Sequence, residues 1–200
     1  MGSVLILFAH PALRHSRVNR ALIDGISEIE GVTLHDLYEL YPEFGIDVAA
    51  EQQLAELHDV IIFQHPLYWY SVPAILKEWQ DLVLEHGWAY GTGGSALSGK
   101  RFLCAVTTGG GGEAYRTDGY NRHTIRQLLA PVEQTARLCN MICLPPYVVH
   151  GTHLMTPEGA EAARRDYHRV LADLRDGLVE SSSDREYLNE PSDSRSVTRR

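Results

Sequence analysis

His10, Ser16 and Asn19 stand just beyond an unbroken apolar run, Val4 to Ala9, and just before the apolar pair Ala21-Leu22. An imidazole, a hydroxyl and an amide at the junction of a buried strand and a helix start can hold an anion, because the first amides of a helix have no partner within it. The turn lacks the glycines of a diphosphate-binding loop, so one phosphate group suits it better than two. Ser16 would serve equally as a plain N-cap, a role that needs no ligand. Two further groups follow apolar runs in the same manner. Pro66-Leu67-Tyr68-Trp69-Tyr70 succeeds Val60 to His65 and offers aromatic walls for a flat heterocycle, or else core or dimer surface. Thr107, Thr108 and the glycines Gly109 to Gly112 succeed Arg101 to Val106. Glycines there have no evident packing purpose and let backbone approach a ligand closely, although glycine runs also make ordinary turns.

Positioning these groups requires strands and helices in alternation. Continuous apolar runs suit parallel strands covered on both faces. After the first strand the pattern predicts a helix from Ser16 to Glu28, a strand over Val32 to Leu37, and a helix capped by Asp47 that ends near His58. The third strand is Asp59 to His65. From Pro73 a helix follows with Ile75, Leu76, Trp79, Leu82 and Val83 as its buried stripe. Arg101 to Thr107 is the fourth strand, Thr124 to Leu138 a long helix, and the fifth strand lies near Met141 to His150. The last helix starts at Thr156-Pro157-Glu158, and Ala163, Tyr167, Leu171, Leu174 and Leu178 share its inner face. Such alternation means a doubly wound parallel sheet, which binds ligands at the carboxyl ends of its strands. The three polar groups above all sit at such ends.

With 200 residues and 44% hydrophobic content the chain is one domain with a substantial core. Residues 1–180 are expected to form it, and 181–200, rich in serine and charge, a disordered tail. A formal net charge of -8 argues against a nucleic-acid binder. Three cysteines, Cys104, Cys139 and Cys143, fit a reducing, cytosolic setting, and no metal centre is expected, because two further ligands at metal spacing are missing. No apolar stretch has the length of a membrane span, and no signal peptide is expected from the opening residues.

The motifs Ala9-His10-Pro11, Ser16-x-x-Asn19, Gln64-His65-Pro66-Leu67-Tyr68-Trp69-Tyr70-Ser71-x-Pro73-Ala74-x-Leu76-Lys77-x-Trp79, His86-Gly87-Trp88-Ala89-Tyr90-Gly91 and Thr107-Thr108-Gly109-Gly110 occur in this order. Together they resemble the flavodoxin-like NAD(P)H:quinone oxidoreductases, and within them the branch of ancillary proteins of glutathione-regulated potassium-efflux systems. Leu37-Tyr38-x-x-Tyr41-Pro42-x-Phe44-x-Ile46-Asp47 and Ala114-Tyr115-Arg116-x-Asp118 are similar to that branch as well. The likeness covers about residues 3 to 178. It implies a flavodoxin-like five-stranded sheet of order 2-1-3-4-5 with helices on both faces, a homodimer, and bound FMN rather than FAD, whose single phosphate agrees with the His10-to-Asn19 turn.

By the same resemblance His10, Ser16, Arg17, Val18 and Asn19 meet the phosphate and ribityl chain. Pro66, Leu67, Tyr68, Trp69 and Tyr70 face the isoalloxazine, and Thr107, Thr108, Gly109 and Gly110 meet its pyrimidine edge. Tyr115 falls on a tyrosine that assists charge development on the reduced ring; the family's histidine position is taken by Asn121, with His123 two residues on as its displaced substitute. The implied activity is hydride transfer from NAD(P)H through the flavin to a quinone or other electrophile. The alternative is a regulatory subunit docked on a membrane potassium-efflux antiporter, through protein contacts rather than a basic lipid-binding patch. A phosphorylation receiver of the same layout would need acidic residues where this chain has Ala9 and His10.

Overall fold

The computed structural model describes residues 2–179 and 185–189. Strand β1 (Val4–Phe8) is buried along its whole length and lies between β2 (Val32–Asp36) and β3 (Val60–Pro66), both parallel to it. Strand β4 (Arg101–Thr107) pairs with β3 from Val60↔Arg101 to Pro66↔Thr107. The fifth strand comes in two pieces, β5 (Ile142–Cys143) and β6 (Tyr147–Val149), each parallel to β4. Pro145 and Pro146 lie between them, and proline has no N–H to give to a ladder. The order is β2-β1-β3-β4-β5, as expected, with β6 continuing the β5 edge.

The side-chain period of two sends alternate strand residues to opposite layers. Leu5, Leu7, Ile61, Phe63, Phe102 and Cys104 face one layer, with Ile75, Leu76, Trp79 and Val83 of α4 (Ala74–Val83) and Ile125, Leu129 and Val132 of α5 (Ile125–Leu138). Val4, Ile6, Phe8 and Leu103 face the other, with Val18 and Leu22 of α1 (Arg17–Ile23) and Tyr167, Leu171 and Leu174 of α6 (Pro157–Arg175). Between β2 and β3 run the short α2 (Leu37–Leu40) and α3 (Val48–Glu56), and Asp47 caps α3 by accepting from the Ala50 amide at 3.1 Å.

Several elements depart from the sequence expectation. Helix α1 ends at Ile23, and Gly25, at φ +77°, turns the chain into a separate short 3-10 turn at Ile26–Glu28. Leu37 opens α2 instead of closing β2. Leu82 is exposed, so the stripe on α4 is narrower than its spacing suggests, and Leu178 lies past the end of α6, also exposed. Arg185 to Asn189, expected to be structureless, packs on the sheet edge. The Leu188 amide donates to Pro146 O at 2.9 Å, and the Asn189 side chain accepts from Val148 N at 3.1 Å and donates to Val148 O at 2.7 Å. The rest of the expected tail lies outside the described residues.

Candidate functional site

At the carboxyl end of the sheet, β1, β3, β4 and β6 open into a cleft of about 720 Å³. Every residue expected to bind the cofactor lines it except Thr108, and Tyr115 lines it too.

The first wall is the β1–α1 turn. Ser16 caps α1, its Oγ accepting from the Asn19 backbone at 3.3 Å and the Asn19 side chain at 3.0 Å. Its hydroxyl proton remains to be donated, so capping and ligand binding are compatible. The amides of Arg17 and Val18, in the first turn of α1, have no acceptor among the described residues. His10 is buried, its Nδ1 accepts from the Ala12 amide at 3.1 Å, and burial lowers its pKa. It is therefore a neutral ring whose proton sits on Nε2. The Arg17 guanidinium is tied to the Met155 carbonyl.

The second wall is a reversal after β3. Trp69 and Tyr70 lie at φ +49° and +62°, two successive left-handed positions without glycine, a conformation that costs of order 1–3 kcal/mol per residue. The reversal closes with Ser71 N donating to Tyr68 O at 3.0 Å, while the Trp69 and Tyr70 amides find no acceptor among the described residues. Trp69 is 94% exposed.

The third wall is the glycine segment. None of Gly109 to Gly112 has a positive φ, so their need for glycine is one of space. At Gly109 a Cβ would come within 2.3 Å of His153 Nε2, so the His153 ring occupies the space a side chain would need; glycine here does have a packing purpose. Thr108 sits behind, fully buried, with its hydroxyl donating to Gly110 O at 2.9 Å and 3.0 Å from His150 Nδ1.

Tyr115 is 7% exposed, and its ring lies 5.6 Å from that of His150. Burial raises its pKa, outweighing the Thr108 hydroxyl and Asn121 amide that favour its anion. Asn121 Oδ1 also accepts from the Tyr70 hydroxyl at 3.2 Å, so it spans two tyrosines of the site. His123 is not brought in. It is exposed, bonds to Asn121 O at 3.1 Å and does not line the cleft. Two histidines after β6 come close instead: His153 lines the cleft, and His150 lies beside Tyr115 and Thr108. Sequence reasoning overlooked them, although the rule that located the other three segments applies equally to the end of the fifth strand.

The model of the family described as having a flavodoxin-like fold matches residues 2–174. The chain belongs to this family. Among its curated relatives is the glutathione-regulated potassium-efflux system ancillary protein KefG of Serratia proteamaculans, 49% identical over 164 residues, which span 82% of this chain and 90% of the relative. Among solved structures, general stress protein 14 of Treponema denticola in complex with FMN is 39% identical at a TM-score of 0.82, over 86% of this chain and 99% of that one. A protein of P. pentosaceus described as an NADPH-quinone reductase is 33% identical at a TM-score of 0.76, over 84% and 96%. No described helix is long and apolar enough to cross a membrane.

Proposed function

We propose that the chain is an FMN-dependent NAD(P)H:quinone oxidoreductase. The observation that carries this reading is the cleft itself, where backbone amides without acceptors among the described residues occur on three walls, at Arg17 and Val18, at Trp69 and Tyr70, and around Gly109 and Gly110. One set suits a phosphate at a helix start, and the other two suit the acceptor atoms of a flat ring. FMN, when bound, supplies the hydride chemistry between NAD(P)H and a quinone or other electrophile. The chain supplies the rest. His10 Nε2, the Ser16 hydroxyl and the amides at the start of α1 hold the phosphate and ribityl end. The amides of Gly109 and Gly110 are fixed dipoles for negative charge at the ring edge, and Tyr115 offers a hydroxyl that burial keeps protonated. The relatives with FMN bound and with quinone reductase activity in their descriptions support the assignment.

The purified protein is expected to be yellow, absorbing near ~450 nm, to release FMN on denaturation and to oxidise NAD(P)H only when a quinone is present. A colourless protein that takes up no FMN from excess would overturn the reading.

A second role is favoured by the name of the relative from Serratia: a cytosolic ancillary subunit of a potassium-efflux antiporter. A net charge of -8 fits docking on a protein rather than on anionic lipid. Co-expression with such an antiporter, followed by potassium efflux with and without this chain, tests it. Both roles are compatible with a homodimer.

A further inference from the structure

His150 has no task in the function proposed above. It directly follows β6, half-buried, and two successive contacts run from it: Nδ1 lies 3.0 Å from Thr108 Oγ1, which lies 2.9 Å from Gly110 O. Chemistry decides where the protons lie. Gly110 O can only accept, and two oxygens 2.9 Å apart repel unless a proton lies between them, so the Thr108 hydroxyl proton points at Gly110 O. Thr108 Oγ1 then has only lone pairs to show His150, and Nδ1 must carry the ring proton. The other nitrogen agrees. Nε2 is buried with no partner among the described residues, and a bare lone pair there costs less than an orphaned N–H. Burial also disfavours the imidazolium, against the opposing pull of Glu113 and Glu186.

The surrounding backbone explains what this relay controls. Thr108 O accepts from Thr152 N at 3.0 Å and Thr152 Oγ1 at 3.1 Å, which pins the peptide plane before Gly109. Gly110 O accepts from Gly151 N at 2.8 Å and from the Thr108 hydroxyl, which pins the plane after Gly110. The plane between, carrying the Gly110 amide, is left with little freedom in a segment of glycines that would otherwise have the most.

We propose that His150 is a positioning residue, acting through the Thr108 hydroxyl to lock the Gly109–Gly110 peptide in place before a ligand arrives. What the peptide meets rests on the FMN reading; the relay does not. Preorganised amides need no ordering on binding, so losing the lock should weaken both ligand affinity and charge stabilisation.

The test has two arms. In the flavin-free protein labelled with ¹⁵N-histidine, the His150 signal, assigned by its loss in His150→Asn, should show a neutral ring protonated at Nδ1 at neutral pH. A proton on Nε2, or an imidazolium, would overturn the proposal. In the second arm His150→Phe keeps the ring contacts to Tyr115 and Tyr187 but removes the donor. FMN affinity and kcat should each fall about tenfold, with KM for NAD(P)H little changed. His150→Asn, whose amide nitrogen replaces Nδ1, should restore most of the loss, and Thr108→Val should reproduce it without adding to it in the double variant. Phe behaving as wild type, or Asn as poorly as Phe, would refute the relay. A wild-type chain that binds no FMN would instead overturn the proposed function, and the tautomer alone would then decide for or against the relay.

Discussion

The Asn19 side-chain amide donates to Thr107 Oγ1 at 3.0 Å, joining the first turn of α1 to the end of β4 inside the buried floor of the cleft. The same amide reaches Ser16 Oγ at 3.0 Å, so one side chain binds two walls of the site together. Asn19→Ala should leave the buried Thr107 hydroxyl short of a partner, while Ser16 Oγ keeps its bond from the backbone amide at position 19, lowering stability by about 1–3 kcal/mol and weakening FMN binding. Denaturant unfolding and FMN titration of the variant check both. Unchanged flavin affinity would move the phosphate elsewhere.

Tyr115→Phe should slow quinone reduction by roughly ten- to a thousandfold at saturating substrates, with little effect on FMN affinity. His123→Ala, at an exposed position away from the cleft, should leave turnover near that of the wild type. Steady-state rates of the two variants side by side decide which residue, if either, serves the reaction.

His65 is fully buried on β3, donates from Nδ1 to Pro66 O at 3.0 Å, and has its pKa pushed down to about 4 by burial. Its folded-state pKa lies below the ordinary ~6.5, so below that pH the unfolded chain takes the proton more readily than the folded one. Stability should therefore be lost as pH falls from about 6.5 to about 4, by roughly 3 kcal/mol in all from this one group. Unfolding free energies at several pH values, compared with those of His65→Gln, should show a shallower acid slope in the variant.

Gly109→Ala must displace the exposed His153 ring that lies against it. Because that ring can swing into solvent, stability should change by less than about 1 kcal/mol while FMN binding weakens. Adding His153→Ala should recover part of the affinity. Equal loss in single and double variants would show that the backbone itself, rather than the ring, is disturbed.

Trp69 and Tyr120, 94% and 90% exposed, are unusual outer surface for a lone domain. Sedimentation at micromolar concentration should give a dimer, and Trp69→Arg a larger monomer fraction. A fully active monomer would exclude the dimer.

The sheet was legible because runs such as Val4 to Phe8 are too short and too continuously apolar to be amphipathic helices, and their ends led directly to the cleft. Boundaries were less so. Gly25 ends α1 through a backbone angle that composition does not reveal, and Leu82, spaced like the buried stripe of α4, is nonetheless exposed. The end of the fifth strand was hidden by Pro145 and Pro146, which break the apolar pattern just before His150. Counting along the chain from Tyr115 leads to Asn121, with His123 as the nearest histidine, whereas the fold brings His150 to Tyr115 from the far end of the fifth strand. Leu188 and Asn189 were unreadable for a related reason. Isolated in a charged stretch, they find their partners at the β6 edge, far back in the sequence.

Asn189 imitates a strand with a single side chain, offering Val148 both a donor and an acceptor. A sheet edge covered in this way is closed to pairing with another molecule, and the covering is held by few bonds. Shortening the chain to the end of α6 should therefore leave a domain that still folds but self-associates through β6. Any fusion or tag placed near residue 189 bears on colloidal behaviour before it bears on catalysis.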